Sequence, residues 1–146
     1  MPLYAHQQIN NRYELLRPLK QWDDAETWVA QDSQDNHEVV LKIYSTLLPD
    51  VRILKNPHLI RLREVGEWEG RTVVVMPYYP EGSLRNQIRQ ISEGDLSKVI
   101  IDVCDGLNFL HDQGIIHEAI KPDNILRDAT GNYVVTDYWK GTHLIP

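Results

Sequence analysis

Apolar and polar positions alternate with period two through much of the first half of the chain. Tyr13 to Leu16, Thr27 to Ala30 and Glu38 to Tyr44 read as short strands, with the turn-prone DSQDN at 32–36 between the last two. Leu59 to Val65 and Thr72 to Met76 make a further pair around Glu69 and Gly70, giving about five strands in one antiparallel meander. Pro49 and Pro57 bracket Asp50 to Lys55. Proline has no N–H to donate and a ring that clashes with a preceding turn, so this stretch holds at most a short helix.

The period changes after Gly82. Ser83 to Gln90 predicts a short helix, and Ser92 to Asp95 supplies side-chain oxygens that cap the next one. Leu96, Val99, Ile100, Val103, Cys104, Leu107 and Leu110 then recur at spacings of three and four, with Gly114 as the stop. Two short extended segments follow, Ile125 to Arg127 and Tyr133 to Thr136, joined by a turn through Asp128 to Asn132. Strands first and a helix afterwards make an α+β chain.

Composition changes this picture little. The chain has 146 residues, 42% apolar and 25% charged, as in an ordinary single globular domain. Fifteen Lys and Arg against 21 Asp and Glu leave a net charge of -6, which argues against nucleic acid as a partner, because phosphate-backbone binding needs clustered cations. The lone Cys104, in an apolar helical stretch, excludes disulfide frameworks and reads as a buried structural thiol in a reducing cytoplasm. The longest apolar runs, such as Val73 to Met76, are too short to span a bilayer, and MPLYAHQQIN lacks the apolar core of a signal peptide. The expectation is a cytoplasmic protein with no membrane contact.

Four motifs carry chemistry. GIIHEAIKPDNIL, from Gly114 to Leu126, resembles the catalytic loop H-R-D-x-K-x-x-N of eukaryotic-type Ser/Thr protein kinases, here reading His117-Glu118-Ala119-Ile120-Lys121-Pro122-Asp123-Asn124. Asp137 in TDYWKG stands where that family has the metal-binding Asp of D-F-G. VVLK at 39–42 matches its V-A-I-K strand, and VVVMPYYPEGSL at 73–84 its strand, hinge and following helix turn. The motifs come in family order, and the resemblance spans residues 13–141. It implies a sheet-rich N-lobe over 1–76, a hinge over 77–82 and part of a mainly helical C-lobe over 83–146, the chain stopping soon after the D-F-G equivalent.

The departures are as informative. Counting back from Ala30 and Asp32 puts the three glycines of the family's phosphate loop at Lys20, Trp22 and Ala25, where side chains block close backbone approach, while Asp23 and Asp24 add negative charge. Ala119 replaces the Asp that accepts the substrate's hydroxyl proton, and Glu118 the Arg that holds a phosphorylated activation segment. The helix that would carry a glutamate partner for Lys42 is shortened, leaving Asp50 as the nearest acid. Val40 replaces the small residue beneath adenine, on the same strand face as Lys42.

What the resemblance leaves as nucleotide-contacting positions is Lys42, Met76, Tyr78, Lys121, Asn124, Leu126 and Asp137, with Asn124 and Asp137 as Mg ligands if Mg-ATP binds. The same Asn124 and Asp137 also read as local loop-tying groups, Lys42 as a snorkelling lysine and His117 as a core histidine. The expected function is a pseudokinase, not an enzyme, serving as a regulatory or scaffolding protein-binding domain with no resident cofactor and at most weak Mg-ATP binding. The alternative is an ATP-binding kinase-like enzyme with low or atypical phosphoryl or nucleotidyl transfer. Without the later helices, Phe109, Ile115, Ile116 and Ile125 would be left open to a protein partner or a second copy, or covered by Tyr138, Trp139, Leu144 and Ile145. Trp68, Tyr78 and Tyr79 read either as interface aromatics or as core.

Overall fold

The computed structural model describes residues 2–117, 120–140 and 142–143. The chain forms two compact units, residues 1–51 with 62–78 and residues 52–61 with 79–146. It is α+β.

The first unit is one antiparallel sheet of six strands: β1 (Gln8–Ile9), β2 (Tyr13–Gln21), β3 (Ala25–Asp32), β4 (Glu38–Tyr44), β5 (Glu64–Trp68) and β6 (Arg71–Pro77), in the order β1-β2-β3-β4-β6-β5. Period two along β4 sends Val39, Leu41 and Ile43 to one face, where Leu15, Trp28, Ala30, Val73 and Val75 complete a core closed by Leu3, Ile9 and Tyr13 and flanked by Trp68. The other face carries Val40, Lys42 and Tyr44, all buried as well. Arg12 ties the sheet edge together. Its Nε and one terminal nitrogen donate to the two oxygens of the buried Asp32 at 3.0 and 2.9 Å, and its other nitrogen reaches Glu64 at 3.1 Å.

Here the sequence expectations need two corrections. The sheet has six strands rather than five, because β1 adds a short edge and β2 runs on to Gln21 past Pro18. Register shifts between Leu15 and Arg17 and between Pro18 and Lys20 let the strand continue through a proline that has no N–H for the ladder. Residues 59–63 form no strand. Leu59 and Ile60 belong to the second unit, where Ile60 N donates to Val135 O at 3.0 Å. Residues 51–56 form no helix at all, as their bracketing prolines disfavour.

The second unit is built on α1 (Glu93–Asp112), with β7 (Ile115–Ile116), the hairpin of β8 (Ile125–Arg127) and β9 (Tyr133–Val135), and β10 (Thr142–His143) antiparallel to β7. The Ser92 side chain accepts from Asp95 N at 3.1 Å and so caps α1. Gly114 leaves the helix at φ 75°, the left-handed region open to glycine. In place of the helix expected over 83–90 there is one 3-10 turn at Leu84–Asn86. Only Leu84 is buried in it, so no apolar stripe holds a longer helix.

The buried face of α1 is Val99, Asp102, Val103, Gly106 and Leu110. A Cβ at Gly106 would stand 2.9 Å from His58 O, so this glycine is what lets the helix lie against the 52–61 segment. Asp102 accepts Tyr133 N at 3.0 Å and Lys98 Nζ at 2.9 Å, docking the helix on the hairpin. With a carboxylate and a glycine facing inward, the apolar set splits. Cys104 is exposed rather than buried, and Leu96, Ile100 and Ile101 are 45%, 57% and 60% exposed. Of the positions expected to lie open, Ile115 and Ile125 are buried, Phe109 is half-buried and Ile116 is exposed. Tyr138 and Trp139 are buried as an edge-to-face pair, whereas Leu144 and Ile145 lie outside the described residues.

Candidate functional site

In the first unit the site is a single cross-strand row. Lys42 on β4 lies opposite Thr27 on β3 and Val74 on β6, and Thr27 lies opposite Lys20 on β2. Directly opposed residues share a sheet face, so both lysines project to one side. The β2–β3 hairpin closes tightly, with Trp22 N donating to Ala25 O at 2.8 Å, and Asp23 and Asp24 form its tip. This lays the Trp22 indole against the lysines, its centroid 4.2 Å from Lys42 Nζ and 4.0 Å from Lys20 Nζ, while the Tyr44 ring lies 5.5 Å from Lys42 Nζ. Lys42 itself is only 5% exposed.

Val40 is opposed by Val29 and Met76, an apolar row next to the lysine row. Tyr78 is half-buried and accepts a hydrogen bond from Arg17 at 3.3 Å, with the guanidinium 5.5 Å from its ring centroid. The Tyr78 hydroxyl, with Glu38 at 3.1 Å, raises the Arg17 pKa above its ordinary value.

In the second unit the β8–β9 register pairs Ile125 with Val135, and the ladder continues one step as Thr136 N donates to Asn124 O at 2.8 Å. Asn124 is buried at the end of a 3-10 turn opened by Pro122, whose fixed φ suits a helix start. Asp137 follows Thr136 with φ 62°, a strained conformation for a residue bearing a Cβ.

Anchors on both sides over-determine that geometry. His117 Nε2 donates to Thr136 O at 2.7 Å. The buried Tyr138 hydroxyl lies 3.2 Å from Leu54 O and 3.4 Å from Ile60 O, and burial raises its pKa. Asp137 thus follows directly on the residue bonded to Asn124, Lys121 stands exposed at the start of the same turn, and Leu126 is half-buried on β8. Lys42, Met76 and Tyr78 belong to the other unit. Ala119 and Glu118 lie outside the described residues. Lys20 comes into the same row as Lys42 only through the bulged register of β2, which the residue pattern did not reveal.

An amide and a carboxylate oxygen held by a rigid hairpin are a donor set suited to a hard cation such as Mg, which takes one or two protein oxygens beside water and phosphate. Among the described residues there is no group of three or more His, Cys, Asp or Glu placed for a metal. A site sharing its cation with a phosphate needs no such group.

The sequence matches the protein kinase domain over residues 29–144, most of the chain. The chain belongs to the protein kinase family. It is 26% identical over 90% of its length to a probable serine/threonine-protein kinase, pknA2, of Bifidobacterium longum, covering 20% of that protein. It is 27% identical over 87% of its length to CBL-interacting serine/threonine-protein kinase 1 of Arabidopsis thaliana, covering 32% of it. To CBL-interacting serine/threonine-protein kinase 21 of the same plant it is 24% identical over 94% of its length, covering 37%. The chain therefore spans a fifth to a little over a third of these relatives. Their names correct the expectation that this chain is no enzyme. That expectation rested on Ala119 and on the absence of the phosphate-loop glycines at Lys20, Trp22 and Ala25, in a family whose chemistry depends chiefly on positioning and on charge stabilisation by metal and cations.

Proposed function

We propose that this kinase-family chain binds Mg-ATP weakly and transfers its terminal phosphoryl group slowly to a protein Ser or Thr hydroxyl. The observation that carries this reading is Asp137 held at φ 62° beside Asn124, by bonds from Asn124 O and His117 to Thr136. Strain kept in place by surrounding anchors is a signature of functional positions, and these two are the oxygen donors a Mg site needs. Bound Mg-ATP would supply an electrophilic phosphorus whose developing charge the cation shares.

The chain's own residues position and neutralise. In the second unit Asn124 and Asp137 would present oxygens to the cation and Lys121 an ammonium to phosphate; in the first unit Lys42 carries the ammonium that the family's strand motif supplies. In the transfer, the acceptor oxygen forms a bond to the γ-phosphorus, the bond to the β-phosphate oxygen breaks, and ADP leaves. Ala119 accepts no proton, so the hydroxyl proton passes to water or to the transferred phosphate, which makes the step slow. Val40 and Met76 offer an apolar surface to the base, narrowed by the methyl groups of Val40. Incubation with γ-labelled ATP, Mg and a protein acceptor should give slow labelling that Asp137→Ala abolishes. Labelling unchanged in that variant would sink the reading.

A second reading is regulatory binding to protein, alongside transfer to a separate substrate. It is favoured by the apolar stripe of Leu96, Ile100 and Ile101 exposed on α1, the type of surface another protein or a second copy covers. The exposed Cys104 in that stripe suits a reducing, cytoplasmic setting, where thiols persist unpaired by disulfides. No described helix is long and apolar enough to cross a membrane.

A further inference from the structure

The second unit holds an open cavity of about 450 Å³ whose lining includes neither Asn124 nor Asp137. It lies between the 54–61 segment, Tyr79 and the β8–β9 hairpin, and its buried lining, Leu59 and Val134, is apolar. Lys55 and Arg61 stand exposed at its rim, and neither side chain bonds or pairs with another among the described residues. The hydroxyl of the half-buried Tyr79 also has no hydrogen-bond partner there. Burial raises its pKa, as does the charge of Asp128, so it stays a donor. Asp128 is the one carboxylate in the lining, and its own turn occupies it: Oδ1 accepts from Thr130 N, Thr130 Oγ1 and Asn132 N at 3.0, 2.8 and 2.9 Å. Two cations against one carboxylate, in a chain of net charge -6, make this lining complementary to an acid with an apolar body.

The main chain beside the cavity favours a peptide over a small acid. Residues 51–56 belong to no helix or strand. Leu54 is tethered inward, its N and O lying 3.4 and 3.2 Å from the Tyr138 hydroxyl. The main-chain groups of its neighbours Ile53 and Lys55 make no hydrogen bond with the described residues, and both residues are exposed. Free N–H and C=O groups on exposed backbone are what a second segment pairs with, its side chains then read by the adjacent pocket. We propose that this cavity docks an acidic segment of another protein, with an apolar side chain against Leu59 and Val134, flanking carboxylates on Lys55 and Arg61, and main-chain bonds to Ile53 and Lys55. The docking does not involve Mg-ATP, so it stands or falls apart from the transfer reading.

The test is fluorescence anisotropy of the full chain with a labelled peptide in which one leucine is flanked by glutamates. Companion peptides replace the glutamates by lysine, or the leucine by serine. The first peptide should bind, less tightly as NaCl rises, and each companion should bind several-fold more weakly. Lys55→Met and Arg61→Met should each weaken binding about two- to fivefold and Tyr79→Phe several-fold, at an unchanged melting temperature, because these side-chain groups have no internal bond to lose. Arg89→Met removes an equal charge from a different cavity of the same unit and should leave the affinity unchanged. No binding, equal binding of the companions, or wild-type affinity in the Lys55→Met and Arg61→Met variants would each overturn the proposal. N-acetyl-leucine, a lone carboxylate on the same apolar side chain, should compete far less well than unlabelled peptide; equal competition would make the ligand a small acid and overturn the docking of a protein segment. Affinity that falls as protein concentration rises would overturn it as well, the occupant then being a second copy.

Discussion

Asp32 has no exposed side-chain surface, yet it carries a charge, and Arg12 is what makes that tolerable. The two-pronged hydrogen bond from Arg12, helped by Gln34 N at 3.0 Å, holds the Asp32 carboxyl below its ordinary pKa against the opposing effect of burial. A carboxyl lowered on folding contributes stability that is fully present above its unfolded value, near 4, and is lost as pH falls through the lower folded value. Urea denaturation should therefore show stability flat from about pH 7 to 5 and falling below about pH 4. Arg12→Ala leaves the buried carboxylate only Gln34 N and, at 3.7 Å, the Arg63 guanidinium, and should lower the urea midpoint at neutral pH by far more than loss of the exposed pair of Arg17 and Glu38.

A second single-residue effect concerns rate rather than stability. Ala119→Asp restores a proton acceptor at the position where the family has one, and such a group contributes about 10²–10⁴-fold. Labelled-ATP turnover should rise within that range. An unchanged rate would mean that phosphate or cation holding limits the reaction instead of proton removal.

At the scale of elements, Gly106 decides how α1 meets the rest of its unit. On an isolated helix, glycine to alanine gains about 1 kcal/mol, and here the added methyl would press to 2.9 Å from His58 O, itself engaged by Val135 N at 2.9 Å. Overpacking of this kind costs about 1–3 kcal/mol, so Gly106→Ala should lower the melting temperature in a thermal scan although local propensity says the reverse. The same position shows where sequence reading stopped. Helical spacing located α1 and its Ser92 cap, but could not say that Asp102 and Gly106 face inward and turn Cys104 and Ile100 out, because that rotation is set by the Tyr133 amide and the His58 carbonyl, both distant in the chain.

The β8–β9 hairpin was legible from its turn, and with it the adjacency of Asn124 and Asp137. The phosphate-loop hairpin was legible as a loss of glycine. Its consequence was not, since two register shifts in β2 put Lys20 opposite Thr27 and so beside Lys42, and bulges leave no mark in residue pattern alone. β1 escaped for a related reason, as two residues are too few to display a period.

For the molecule as a whole, the charge and the apolar stripe pull association in opposite directions, and salt tells them apart. Copies carrying a net charge of -6 repel one another, whereas Leu96, Ile100 and Ile101, 45–60% exposed along one side of α1, favour burial against a like surface. Burying each of these side chains fully is worth about 1.5–3 kcal/mol, of which part is already realised, so the stripe supports weak self-association opposed by charge. Raising NaCl from about 0.05 to 0.5 M shortens the screening length from over 10 Å to under 5 Å and removes most of the repulsion while leaving apolar burial intact. Sedimentation equilibrium should then show the dimer strengthening with salt, and Ile100→Asp should hold the protein monomeric at every salt concentration. An association held instead by ion pairs would weaken with salt and survive Ile100→Asp, and that result would move the interface from α1 to the charged edge of the sheet around Arg12, Arg63 and Asp35.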